Sequence, residues 1–132
     1  MQNCFLFTYG TLMGAFNNPM AVFLRKNSKF IGKCYFKGLL FDLGHYPGAI
    51  YDPYQKSKVH GELYQIDNSN KVFKVLDEYE GIGDFHFDLY KREITPININ
   101  NEVINAEAYI YNKPSNSLKV IETGDYTMYL NS

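Results

Sequence analysis

The chain has 132 residues, 45% of them apolar and 20% charged, with a formal net charge of −1 at pH 7. These values describe one folded domain spanning residues 1–132 and exclude a disordered chain. The near-neutral charge excludes the electrostatic footprint of a nucleic-acid or anionic-membrane partner, and no stretch approaches the roughly 20 apolar residues that span a bilayer.

Cys4-Phe5-Leu6-Phe7-Thr8-Tyr9 reads as a hydrophobic strand that runs abruptly into Tyr9-Gly10-Thr11-Leu12. Successive amides of such a glycine-led loop can point into one concave spot and hold a small anion. A plain tight turn is the simpler alternative. Asn17-Asn18-Pro19 supplies an N-cap and a first-turn proline for a short helix through Lys26. The segment 30–43 reads as strand broken by Gly32 and Gly38, with Leu39, Phe41 and Leu43 on one side, and Gly44-His45-Tyr46-Pro47-Gly48 as the turn that ends it.

After a polar loop over residues 52–58, Val59 to Ile66 returns to strand. Asn68 or Ser69 then caps a helix in which Val72, Phe73, Val75, Leu76 and Tyr79 recur at helical spacing, and Gly81 is its stop. Residues 81–86 form a loop, 87–99 a strand and Asn100-Asn101 a hairpin turn. In residues 103–111, Ile104, Ala106, Ala108 and Ile110 share one strand face, while Asn105, Glu107, Tyr109 and Tyr111 share the other. Residues 122–130 turn into a short final helix or docked segment. Several strands with two or three short helices and no regular alternation indicate an α+β fold, its aromatic-rich sheet curled or closed into a barrel.

The acidic run Asp77-Glu78-Tyr79-Glu80 closes the central helix. At about 100° per residue, Glu80 falls about 70° from the centre of the apolar face, and Asp77 and Glu78 about 130° from it. Glu80 therefore borders the buried face, where desolvation and the negative end of the helix dipole raise a carboxyl pKa toward that of a general base at neutral pH. An ion pair with a basic side chain such as Arg92 is the alternative. His45, His60 and His86 are scattered without metal-ligand spacing, and Cys4 and Cys34 read as buried reduced thiols.

Taken together, Tyr9-Gly10-Thr11-Leu12, Gly38-Leu39-Leu40-Phe41-Asp42 with Tyr46-Pro47-Gly48, and Val59-His60-Gly61-Glu62-Leu63-Tyr64 form an ordered series. It continues through Leu76-Asp77-Glu78-Tyr79-Glu80-Gly81, Tyr90-Lys91-Arg92, Ala108-Tyr109-Ile110-Tyr111 and Gly124-Asp125-Tyr126. In order and spacing it resembles the γ-glutamylcyclotransferase-like superfamily, in particular the short γ-glutamylamine cyclotransferase and AIG2-like branch.

The resemblance implies a small mixed β-barrel flanked by two or three short helices. It also implies an enzyme that cyclises the γ-glutamyl group of an amine or amino acid to 5-oxoproline. Glu80 would be the general acid/base, and Tyr9, Gly10, Thr11 and Leu12 would cradle the glutamyl head. Tyr46, Pro47, Tyr90 and Tyr126 would line or back the pocket, with Asp42 and Arg92 structural and Gly48 a turn glycine. The segment 81–88, including Phe85-His86-Phe87, would form part of the rim that selects the leaving amine. No metal or organic cofactor is expected, nor a nucleic-acid or membrane partner. The expected setting is the cytoplasm, with a monomer as the default. A barrel that binds the same small molecule without catalysis is the alternative.

Overall fold

The computed structural model describes residues 4–82 and 88–131. The strands are β1 (Cys4–Thr8), β2 (Ser28–Asp42), β3 (Pro47–Tyr51), β4 (Lys58–Ile66), β5 (Tyr90–Ile99), β6 (Glu102–Tyr111) and β7 (Lys119–Val120). The helices are α1 (Pro19–Lys26), α2 (Ser69–Tyr79) and α3 (Tyr126–Leu130).

Five strands close a barrel in the order β2-β4-β1-β6-β5, and β5 returns to β2 at the pair Tyr35 and Asn98. The β1–β6 pairing is parallel and the other barrel pairings are antiparallel, so the barrel is mixed. β3 and β7 both pair with the C-terminal part of β2, outside the closed ring.

Successive residues of a strand point to opposite faces, and here both faces of β1 are covered. Phe7 joins the barrel interior with Phe36, Leu40, Leu63, Ile97 and Ala108. Leu6 faces the other way, into a second core where Leu24 of α1 and Val72, Phe73 and Leu76 of α2 meet Tyr64, Tyr90 and Tyr109 of the barrel wall. Burial of the three α2 side chains contributes about 1.5–3 kcal/mol each and fixes the helix on the barrel. Gly61 lets β4 approach β1, because a Cβ there would collide with the Thr8 carbonyl oxygen and the Phe7 ring.

Both long helices begin where their caps do. Asn18 Oδ1 accepts from Ala21 N at 2.9 Å with Pro19 at N1, and Asn68, not Ser69, caps α2. Gly81, at φ +75°, follows α2 as its stop. Asn100 and Asn101, at φ 50° and 66°, make the β5–β6 turn.

One expectation needs correction. Pro47 and Gly48 do not end a turn but open β3; the reversal is earlier, with Leu43 N donating to Tyr46 O at 3.0 Å. A proline is tolerated as the first residue of a strand, where it withdraws no donor from a ladder interior. The inward set of β2 is Cys34, Phe36 and Leu40, while Leu39 and Leu43 are only half-buried. Tyr109 and Tyr111 are buried along with the inner face of β6; at Tyr109 the cause is α2, which covers the barrel wall there.

Candidate active site

A cavity of about 430 Å³ opens where β1 ends, α2 ends and β3 begins. Tyr9, Gly10, Thr11 and Leu12 line it, together with Tyr46, Pro47, Glu80 and Tyr90. Eight of the nine residues singled out from the sequence thus converge on one space. Tyr126 is the exception: it lies in the barrel core, its ring stacked on Phe16 at 6.3 Å between centroids and its hydroxyl 3.5 Å from the His45 carbonyl oxygen. The remaining wall comes from Phe7, Thr8, Asn18, His45, Tyr79, Leu89 and Tyr109.

The first loop is held from three sides. Tyr9 donates its hydroxyl to the Tyr109 carbonyl oxygen at 2.5 Å and accepts from Ala49 N at 3.2 Å, which ties the end of β1 to β6 and β3. Asn18, while capping α1, donates Nδ2 to the Thr11 carbonyl oxygen at 2.7 Å. Met13 N closes a turn on the Gly10 carbonyl oxygen at 3.1 Å. Gly10 passes close to Pro47, whose Cγ would stand 3.0 Å from a Cβ at that position. Among the described residues, the amides of Gly10, Thr11 and Leu12 donate to no protein acceptor. Unpaired donors beside a cavity are an anion-binding feature.

Glu80 follows the last residue of α2 and is half-buried. Burial, and secondarily the Asp77 charge, pushes its carboxyl up to about 7. Among the described residues it accepts no hydrogen bond and makes no ion pair. Arg92 is engaged elsewhere: its Nε is 3.5 Å from Asp77 Oδ1 and 3.8 Å from Glu107 Oε2, and its guanidinium lies 4.3 Å from the centre of the Phe73 ring. Asp77, which the helical angle directs toward solvent, also accepts the Tyr109 hydroxyl at 2.7 Å. Two barrel side chains reach over that flank of α2 and claim it. Glu78 is exposed.

The hydroxyls of Tyr9, Tyr90 and Tyr109 are all held well above their ordinary value. Burial is the main cause in each; Asp77 adds to it at Tyr109, and Glu80 adds to it at all three. These phenols remain protonated donors around the carboxyl. Tyr90 spends its proton on the Pro47 carbonyl oxygen at 2.6 Å, fixing the start of β3.

Several wall residues were not singled out from the sequence. Asn18 carried a signal only as a helix cap, Thr8 none beyond its strand, and Tyr109 reaches the site because the barrel closes. Phe85, His86 and Phe87, expected at the rim, lie outside the described residues. Asp42 accepts Tyr129 Oη at 2.6 Å and Gly44 N at 2.7 Å, away from the cavity wall. Among the described residues no three His, Cys, Asp or Glu side chains are grouped to hold a metal ion, and no helix is long and apolar enough to cross a membrane.

A mixed barrel with this cavity at the ends of β1 and α2 belongs to the AIG2-like cyclotransferase folds. The mouse AIG2-like protein superposes with a TM-score of 0.72 at 20% identity, over 92% of this chain and 88% of that one. YkqA from Bacillus subtilis gives 0.73 at 23% identity, over 97% of this chain but only 41% of that longer protein.

The sequence carries the assignment further, since the model of the family "Gamma-glutamyl cyclotransferase, AIG2-like" matches residues 6–128. The chain belongs to that family. The γ-glutamylcyclotransferase family protein YtfP of Escherichia coli K12 is 37% identical over 87 residues, 66% of each chain. The protein named "Putative gamma-glutamylcyclotransferase MJ1514" of Methanocaldococcus jannaschii is 31% identical over 125 residues, 95% of this chain and 97% of that protein.

Proposed function

We propose that this chain is a γ-glutamylcyclotransferase-type enzyme that converts a γ-glutamyl amine or amino acid to 5-oxoproline and the free amine, with Glu80 as general acid/base. The observation that carries the reading is a carboxyl with no partner of its own among the described residues, raised to about 7, on the wall of the cavity that Gly10, Thr11 and Leu12 also line.

The reaction is intramolecular. The substrate's α-ammonium gives a proton to Glu80, and the freed nitrogen attacks the γ-carbonyl carbon. A C–N bond forms as the ring closes, the original amide C–N bond breaks, Glu80 returns its proton to the departing amine, and the second proton that the ring nitrogen sheds in becoming a lactam N–H passes to the same amine, which leaves as an ammonium ion. Neither water nor a redox partner is consumed. A base with a pKa near the working pH suits both transfers.

The amides of Gly10, Thr11 and Leu12 would receive the α-carboxylate or the developing oxyanion; an oxyanion donor contributes about 3 kcal/mol. Tyr9, Tyr46, Pro47 and Tyr90 would shape the wall that holds the folded glutamyl conformer, and much of the rate gain would come from that pre-organisation. Tyr126 would act from behind the wall.

The test is 5-oxoproline release, followed by mass spectrometry, from a panel of γ-glutamyl amino acids, γ-glutamyl amines and γ-glutamyl-ε-lysine. Wild type should turn over at least one class and Glu80→Gln should do so about 10²–10⁴-fold more slowly, while substrate affinity stays within about tenfold. Folded wild type that binds members of the panel without releasing 5-oxoproline would instead be a binding protein.

A further inference from the structure

The wall that Tyr46 and Pro47 give the cavity is carried by residues 43–46, the connection between β2 and β3. Gly44, His45 and Tyr46 are exposed, so packing alone does not place them. The C-terminal helix α3 holds the connection from behind. Tyr129 donates its hydroxyl to Asp42 Oδ2 at 2.6 Å, and the Tyr126 hydroxyl lies 3.5 Å from the His45 carbonyl oxygen. Asp42 also accepts Gly44 N at 2.7 Å through Oδ1. The Tyr129 bond, and after it the Gly44 bond, hold the Asp42 carboxyl below its ordinary value.

The helix is itself anchored. The Gly124 carbonyl oxygen accepts His60 N at 2.7 Å, Asp125 caps α3 by accepting Met128 N at 3.0 Å, and Tyr126 is buried in the barrel core. Lys119 Nζ lies 5.5 Å from the centre of the Tyr129 ring. Tyr129 is thus a donor in a fixed place, and Asp42 joins it to the connection. The start of β3 in turn backs the first loop: Pro47 stands against Gly10, and Ala49 N donates to the Tyr9 hydroxyl at 3.2 Å. Close-packed contacts of this kind pass a displacement on rather than absorb it.

We infer that Tyr129 is a positioning residue for the active cavity: through Asp42 it fixes the Tyr46–Pro47 wall and the seat of that wall against the Gly10 loop. Tyr129 does not itself line the cavity, and Glu80 has no part in the contact. The inference gives the C-terminal helix a part in the site, and its kinetic readout rests on the cyclisation proposed above.

Tyr129→Phe keeps the ring beside Lys119 and removes only the hydroxyl. With the γ-glutamyl compound that wild type turns over fastest, KM should rise roughly fivefold while kcat stays within about twofold, because binding geometry is lost and the base is not. Asp42→Ala should raise KM at least as much. The double variant should go no further than Asp42→Ala alone, since both side chains act through one contact.

A lowered urea midpoint for Tyr129→Phe with a wild-type KM would make the residue merely structural and overturn the inference. A loss confined to kcat would overturn it by placing the defect at the base, and multiplying effects in the double variant would overturn the route through Asp42. If wild type turns over no γ-glutamyl compound, exchange of the Ala49 amide, followed by NMR, decides. Exchange at least roughly fivefold faster in Tyr129→Phe, with the β5 amides unchanged, would uphold the positioning while the proposed reaction fails. Unchanged exchange at Ala49 would overturn the positioning as well.

Discussion

Two glutamates stand beside two cavities that share the loop following β1, and their surroundings differ. Tyr9 to Leu12 line the cavity of Glu80, whereas Met13 and Ala15 line a second one, about 590 Å³, with Glu62. Glu62 Oε1 accepts Gly14 N at 2.7 Å and Tyr64 Oη at 2.9 Å, so its charge is spent on pinning the loop to β4. Glu80 has no such donor among the described residues and is raised to about 7. The comparison teaches that a carboxylate's partners, more than its presence beside a cavity, separate a fastener from a group free to exchange protons. The same isosteric change at each site tests this.

Glu80→Gln should produce the largest effect. It keeps the shape and removes the proton acceptor, so turnover should fall by about 10²–10⁴ while affinity changes little. A kcat reduced by less than tenfold would give Glu80 no more than a binding role.

Next in size is a stability difference with a defined sign. The folded pKa of Glu80 is raised from 4.5 to about 7, so the fold favours the protonated form. The resulting stability is fully present below the unfolded pKa and is lost as pH rises through the folded value. Glutamine has no proton to lose. Glu80→Gln should therefore gain on wild type as pH rises from 4.5 to about 7, by up to about 3 kcal/mol above that window at 1.36 kcal/mol per unit. Urea denaturation at acidic and mildly alkaline pH measures the gain, and equal differences at both would remove the raised carboxyl from the argument.

Glu62→Gln should behave in the opposite way. Its amide oxygen can still accept from Gly14 and Tyr64, but a charge-assisted bond becomes a neutral one at a cost of about 1 kcal/mol. Stability should fall by that amount across neutral pH, with the chemical step nearly unchanged. A kcat loss comparable to that of Glu80→Gln would erase the distinction between the two sites.

The two regions also differed in how far they could be read from sequence. Asn68, the apolar spacing of Val72, Phe73 and Leu76, and Gly81 fix the ends and the buried face of α2, and with them the position of Glu80. Those signals are local. Most lining residues of the first loop were legible for the same reason, as glycine and strand end are adjacent in sequence. Barrel closure was legible only in outline, from the aromatic-rich alternating strands and the family resemblance; the contact that makes it, between Tyr35 of β2 and Asn98 of β5, is one that no neighbouring residue announces. Tyr109, Asp77 and Arg92 form a network only after β5 and β6 wrap against α2, so the helical angle alone sent Asp77 toward solvent. β3 was hidden by Pro47-Gly48, a pair that reads as a turn until the strand is seen to start there.

That network supplies the smallest effect and sharpens the comparison most. Burial is the main reason for the raised Glu80 carboxyl and Asp77 the second. Asp77→Asn removes the like charge but keeps an oxygen for the Tyr109 hydroxyl, and it releases Arg92 from one of its two carboxylates. Both changes favour ionised Glu80. The acid limb of kcat/KM should move below about pH 7 yet remain above 4.5, because burial is untouched. At about pH 6 the variant should be a few-fold more active than wild type, since more of its base is ionised. An unmoved limb would assign the whole shift to burial, leaving Asp77 as a fastener of Tyr109 and Arg92 in the manner of Glu62.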